Sequence, residues 1–124
     1  MAIHALARAS EEGKPITLYG DGGCRRDYTY IDDIADGVLR ALDRAKGFRV
    51  YNLGESRTVS LSDLVATLEE ALGKKAVIDR KPDQPGDVPL TCADVSRARA
   101  ELGYAPSTPL EDGVRRFVEW MRGR

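Results

Sequence analysis

The chain of 124 residues is 42% hydrophobic and 31% charged, which reads as one water-soluble globular domain. Nineteen basic against twenty acidic residues leave a formal charge of -1, which argues against a general nucleic-acid binder but allows a local basic pocket. One histidine, His4, argues against a histidine-built metal site; no apolar run reaches membrane-spanning length; and the distant Cys24 and Cys92 read as reduced cytosolic thiols.

In chain order, Ile3, Leu6 and Ala7 share one face of an amphipathic helix that Gly13 and Pro15 stop. "PITLYG" reads as a short strand, followed by the glycine-rich turn "GDGG". "RDYTYI" reads as a second short strand entering a helix over about 32–45, with Ile34, Val38, Leu42 and Ala45 as its apolar stripe and Gly47 as its stop. "FRVYNLG", residues 48–54, alternates and is rich in aromatic and β-branched residues, so it reads as a strand.

Ser60 and Asp63 form a capping-box pattern for a helix carrying Leu61, Leu64, Val65, Leu68 and Leu72, and Gly73 ends it. "KAVIDRKP" is a strand candidate, and prolines 82, 85 and 89 mark an irregular loop. Asp94 can cap a short helix that Gly103 ends. Thr108, Pro109 and Glu111 supply a cap, a first-turn proline and a capping-box acid for a last helix, buried through Leu110, Val114, Phe117, Val118 and Met121. The pattern predicts an α/β or α+β fold with more helix than strand.

Chemistry concentrates in "YGDGGCRRDYTYIDD", residues 19–33. A glycine turn brings backbone N–H groups close to a phosphate, and arginine offers a planar fork for its oxygens. The spacing misses both standard fingerprints: G-x-G-x-x-G requires glycine where Arg25 stands, and no G-K-[ST] is present. The turn therefore has two readings. Either it cradles an anion, or it satisfies positive φ while the arginines pair with Asp27, Asp32 or Asp33. Tyr28 and Tyr30, two apart, read as half-buried neighbours on one strand face. The carboxylates 32, 33 and 36 suit a helix start better than a catalytic dyad. Asp83 and Asp87 lie in the loop "KPDQPGDVP", either as turn residues or as acceptors for sugar hydroxyls.

Taken together, "GKPITLYGDGGCRRDYTYIDDIADGVLRAL", "YNLGESRTVSLSDLVATLEEALGKK", "QPGDVPLTCADVSRARAELGY" and "TPLEDGVRRFVEW" resemble the C-terminal half of the extended short-chain dehydrogenase/reductases that epimerise or dehydrate nucleotide sugars. They run in the family's order across essentially the whole chain. "RRDYTY" and "QPGDV" look most like UDP-glucuronate 4-epimerases, then UDP-glucose 4-epimerases. Gln84 stands where the latter typically carry an arginine, which leans toward the glucuronate type. The resemblance implies that residues 1–124 are a single α/β substrate-binding lobe, an α+β-like fragment without the Rossmann half. It implies that Leu18 and Tyr19 meet the base, Tyr19 by stacking, that Arg26 binds the diphosphate, and that Asp87 approaches the ribose or diphosphate.

Intact members use NAD held by a G-x-x-G-x-x-G loop and a Y-x-x-x-K pair. Four residues after tyrosines 19, 28, 30, 51 and 104 stand Gly23, Asp32, Ile34, Glu55 and Thr108. The expectation is a chain with no catalytic, cofactor-binding or metal residues of its own. Its expected partners are a weakly held UDP-sugar, an N-terminal Rossmann half and a second copy of itself, with no nucleic acid or membrane. The expected location is cytoplasmic. Met1 aligns inside family members, as in a truncated gene, an internal translation start or an excised domain. The alternative reading is a stand-alone small α/β protein that binds or self-associates without catalysis.

Overall fold

A computed structural model describes residues 2–123 as five helices and four strands: α1 (Ala2–Glu11), β1 (Pro15–Tyr19), β2 (Arg25–Asp27), α2 (Ile31–Arg44), β3 (Thr58–Ser60), α3 (Leu61–Leu72), β4 (Val77–Lys81), α4 (Ser96–Leu102) and α5 (Leu110–Arg122). The strands form two separate ribbons. β1 and β4 pair in parallel, Leu18 opposite Arg80 and Tyr19 opposite Lys81. β2 and β3 pair antiparallel, Arg26 opposite Val59.

Local chemistry sets most boundaries. Ser60 caps α3 by accepting from the Asp63 N–H at 3.0 Å, and its hydroxyl donates to the Asp63 carboxylate at 2.7 Å. Gly73 and Gly103 close α3 and α4 in the left-handed region, at φ 67° and 68°. Asp94 accepts from the N–H of Ser96 at 3.0 Å, so it tightens the entry to α4 although Val95 occupies the cap position. The start of α5 departs from expectation. Pro109 is its cap residue and no side chain of its own caps it. The carboxylate of Asp33, distant in sequence, instead accepts from the N–H groups of Ser107 and Thr108 at 3.2 and 3.0 Å.

Two cores hold these elements. The larger gathers Leu6 and Ala7 of α1, Ile16 and Leu18 of β1, Leu64, Val65, Leu68 and Leu72 of α3, and Val114 and Val118 of α5. Leu110, Phe117 and Met121 flank it half-buried, as the helical period predicts. The smaller core joins Val95, Ala98 and Leu102 to Tyr104, whose hydroxyl donates to the Gly54 carbonyl at 3.0 Å.

Two expectations fail. Residues 48–54 form no strand, although Tyr51 and Leu53 still turn into the smaller core. No described strand pairs with this stretch, and Phe48 is 88% exposed. The second concerns α2. Its expected stripe lies largely in solvent, with Leu42 76% exposed and Val38 exposed beside it. The helix packs through Asp33, Gly37 and Ala41 instead, because the side chains of Leu53 and Tyr104 press onto the bare backbone of Gly37. An alanine there would place its Cβ within 2.8 Å of Leu53.

Candidate functional site

The site begins where β1 ends. Tyr19, 40% exposed, offers an accessible ring, while the Leu18 side chain is only 2% exposed and belongs to the core. Leu18 as a whole therefore offers a ligand almost no accessible surface. After Tyr19 the chain reverses through Gly20 and Gly22, at φ 67° and 85°, a conformation that glycine adopts without strain. Asp21 locks the turn by accepting from the Gly23 N–H at 2.7 Å. The turn then feeds the start of α3, because the carbonyls of Gly22 and Cys24 accept from the N–H groups of Ser62 and Leu61. The same contacts satisfy two N–H groups that a helix start leaves without an intrahelical partner.

The 82–89 loop runs alongside. Asp83 lies against Gly20, and further on the Pro89 carbonyl accepts from the Arg25 N–H at 2.9 Å. Between them the Asp87 N–H donates to the Gln84 carbonyl at 3.1 Å, closing a tight turn with Pro85 and Gly86 at its centre. Gly86 has φ 86°, which fits a Pro-Gly type II turn and projects Asp87 toward β2.

There Asp87 meets Arg26. The guanidinium donates to its carboxylate at 2.7 Å, and also to the Arg25 carbonyl at 2.9 Å. Arg25 leaves β2 toward a different partner, donating to the Thr58 hydroxyl at 3.0 Å and the Thr58 carbonyl at 2.8 Å. Neither arginine pairs with Asp27, Asp32 or Asp33, which corrects the simpler structural reading of the turn. Asp32 instead faces Arg116 at 3.8 Å. Asp27 accepts from the N–H groups of Glu55, Ser56 and Ala93 at 2.9–3.1 Å, and so ties β2 to two loops. Tyr28 sits half-buried nearby. Burial pushes its phenol upward against the opposing charge of Arg26, so it stays protonated at neutral pH.

Thus Arg26 and Asp87, 61 positions apart, are brought into contact, and Tyr19 stands at the other end of the same turn. Sequence reasoning missed Arg80, whose guanidinium donates to the Gly20 carbonyl at 3.2 Å. The period of β4 gives no hint of this, since it depends on which strand β4 joins.

The chain's glycine turn does not fit the diphosphate of NAD. The turn leads into β2 rather than into a helix N-terminus, so the diphosphate cradle of a dinucleotide fold is not built here. Among the described residues, no group of His, Cys, Asp or Glu is arranged to hold a metal ion, and no helix is long and apolar enough to cross a membrane.

The family model of GDP-mannose 4,6-dehydratase matches residues 1–117. A probable UDP-glucuronate 4-epimerase of Rhizobium meliloti is 37% identical over 97% of this chain and 41% of its own length. UDP-glucuronate 4-epimerase 2 of Arabidopsis thaliana is 40% identical over 99% of this chain and 32% of its own. Among solved structures, the UDP-glucuronic acid 4-epimerase of Bacillus cereus, in complex with UDP-glucuronic acid and NAD, superposes with a TM-score of 0.91 at 36% identity. That match covers 99% of this chain and 40% of the solved one. The UDP-glucose 4-epimerase of Thermotoga maritima, with UDP-glucose, superposes with a TM-score of 0.92 at 29% identity over the same shares. The chain thus spans about two fifths of these solved enzymes. With the expected α/β organisation observed and the family model matched over nearly all its length, the chain belongs to the GDP-mannose 4,6-dehydratase family and corresponds to the C-terminal part of an extended short-chain dehydrogenase/reductase epimerase.

Proposed function

We propose that this chain is the nucleotide-sugar-binding lobe of an NAD-dependent UDP-sugar 4-epimerase and does not catalyse epimerisation by itself. The observation that carries the reading is the Arg26–Asp87 pair beside the glycine turn, in a region that superposes on an epimerase solved with UDP-glucuronic acid. In this reading Tyr19 stacks on the base and Arg26 turns its fork to the diphosphate. The exchange frees Asp87 to accept from a ribose hydroxyl. One residue pair then serves two parts of one ligand.

Catalysis requires groups this chain does not supply. No tyrosine has a lysine four positions on, and the glycine turn leads into a strand rather than into a helix N-terminus. The remaining partner in this reading is a Rossmann half, which the exposed flank of α2 and the unpaired 48–54 segment suit. Without it, the same apolar surface favours self-association.

The test is an epimerisation assay with NAD and UDP-glucuronate. The expected outcome is no turnover by the pure chain and recovered turnover when the N-terminal part of a UDP-glucuronate 4-epimerase is supplied. Turnover by the chain alone would refute the lobe reading.

A further inference from the structure

Three arginines border the glycine turn, and their commitments differ. Arg25 spends Nε and Nη2 on Thr58. Arg26 is neutralised by Asp87 at 2.7 Å. Arg80 is exposed, forms no ion pair among the described residues, and donates only to the Gly20 carbonyl at 3.2 Å. Its Nη1 lies 3.7 Å from where a Cβ on Gly22 would stand, so the guanidinium borders the turn, while the Ser62 hydroxyl fills the space that this glycine leaves open. The carboxylates of Asp21 and Asp83 border the same turn. An anion approaching this surface meets two carboxylates, a neutral Arg26–Asp87 pair, the Arg25 cation with its fork turned to Thr58, and the Arg80 cation with most of its fork unspent.

We infer that Arg80 is the residue that anchors the ligand's diphosphate at this turn, a specificity-determining contact beyond Arg26 and Asp87. The inference rests on the nucleotide-sugar reading above. Its physical content is separate: Arg80 supplies the charge that lets a phosphate displace Asp87 from Arg26. A guanidinium with most of its fork unspent binds phosphate oxygens in charge-assisted bonds, whereas a paired one must first give up its carboxylate.

The experiment titrates UDP, uridine and inorganic pyrophosphate separately into the full chain and into Arg80→Gln and Arg80→Lys, followed by amide NMR of Gly20, Gly22 and Gly23. The expected result is a UDP affinity lowered about ten- to a hundredfold by Arg80→Gln, with partial retention in Arg80→Lys and unchanged uridine binding. Unperturbed amide spectra elsewhere verify that the variants are folded, and Arg80→Lys serves alone if the glutamine variant is not. UDP binding equally tight in wild type and variants overturns the role of Arg80 and leaves the nucleotide-sugar reading standing. Pyrophosphate that shifts the turn amides through Arg80, without any UDP binding, supports Arg80 and overturns the nucleotide reading. Binding of neither probe overturns both.

Discussion

At the scale of single residues, the least settled group is Glu55. Its Oε2 is a buried oxygen without a hydrogen-bond partner, and burial together with the Asp33 and Asp27 carboxylates raises its pKa, against the pull of Arg57. A carboxyl whose folded pKa is raised contributes stability below its ordinary value, 4.5, and loses it as pH climbs through the raised value. At neutral pH Glu55 is therefore a cost. Glu55→Gln keeps the shape and offers the neighbouring carboxylates a donor. It should stabilise the chain at pH 7 by about 0.5–1 kcal/mol, a figure discounted because part of the side chain is in water. The gain should vanish toward pH 4. Thermal unfolding of both proteins across that range checks it, and an unchanged or lowered midpoint at pH 7 would contradict the account.

At the scale of elements, α2 shows how one helix carries two unlike faces. Its narrow face of Asp33, Gly37 and Ala41 admits Tyr104 and Leu53, and Asp33 reaches across to hold the start of α5. The broad face, with Ile31, Val38, Leu39 and Leu42, is exposed. Exposed apolar stripes of this kind drive association. Leu42→Lys should change folding stability by no more than about 0.5 kcal/mol, the range of surface substitutions. It should also reduce any self-association measured by sedimentation at high concentration. A large loss of stability would mean that Leu42 is packed in solution, and unaltered association would move the contact elsewhere.

At the scale of the whole molecule, two small cores are joined by a few long-range ties. Arg122 links α5 to Glu11 at 3.0 Å and to the Leu72 carbonyl at 2.7 Å, and the Asp27 and Asp33 carboxylates bind loops from distant parts of the chain. Among the described residues each sheet has only two strands, and although residues 89–91 bridge to Arg25 of β2, no third strand joins either ribbon and an apolar face of α2 stays exposed. A partner that covers this surface binds the folded chain alone and so stabilises it. Adding the N-terminal part of a UDP-glucuronate 4-epimerase should raise the unfolding free energy by about 2.7 kcal/mol at a hundredfold excess over its dissociation constant. Differential scanning calorimetry of the mixture measures this. Two independent, unshifted transitions would show that the surface does not serve such a partner.

The sequence by itself determined the helices of this protein, because their signals are local. Ser60 and Asp63, Gly73 and Gly103, and the apolar period of α5 each act within a turn or two of chain, and each stands in the structure where the pattern put it. The glycine turn, with its positive φ, was legible for the same reason. Only the tertiary structure decided what depends on distant partners. The 48–54 segment has strand composition but joins neither sheet, because Tyr51 and Leu53 turn into the smaller core instead. The apolar stripe of α2 faces outward because Gly37, not Leu42, matches the shape of Tyr104. Leu18 entered the core, Arg26 met Asp87 across 61 positions, and Arg80 came to the glycine turn through the parallel pairing of β1 with β4. A single strand's alternation names two faces, but the neighbouring strand and helices decide which face is covered and which charges meet.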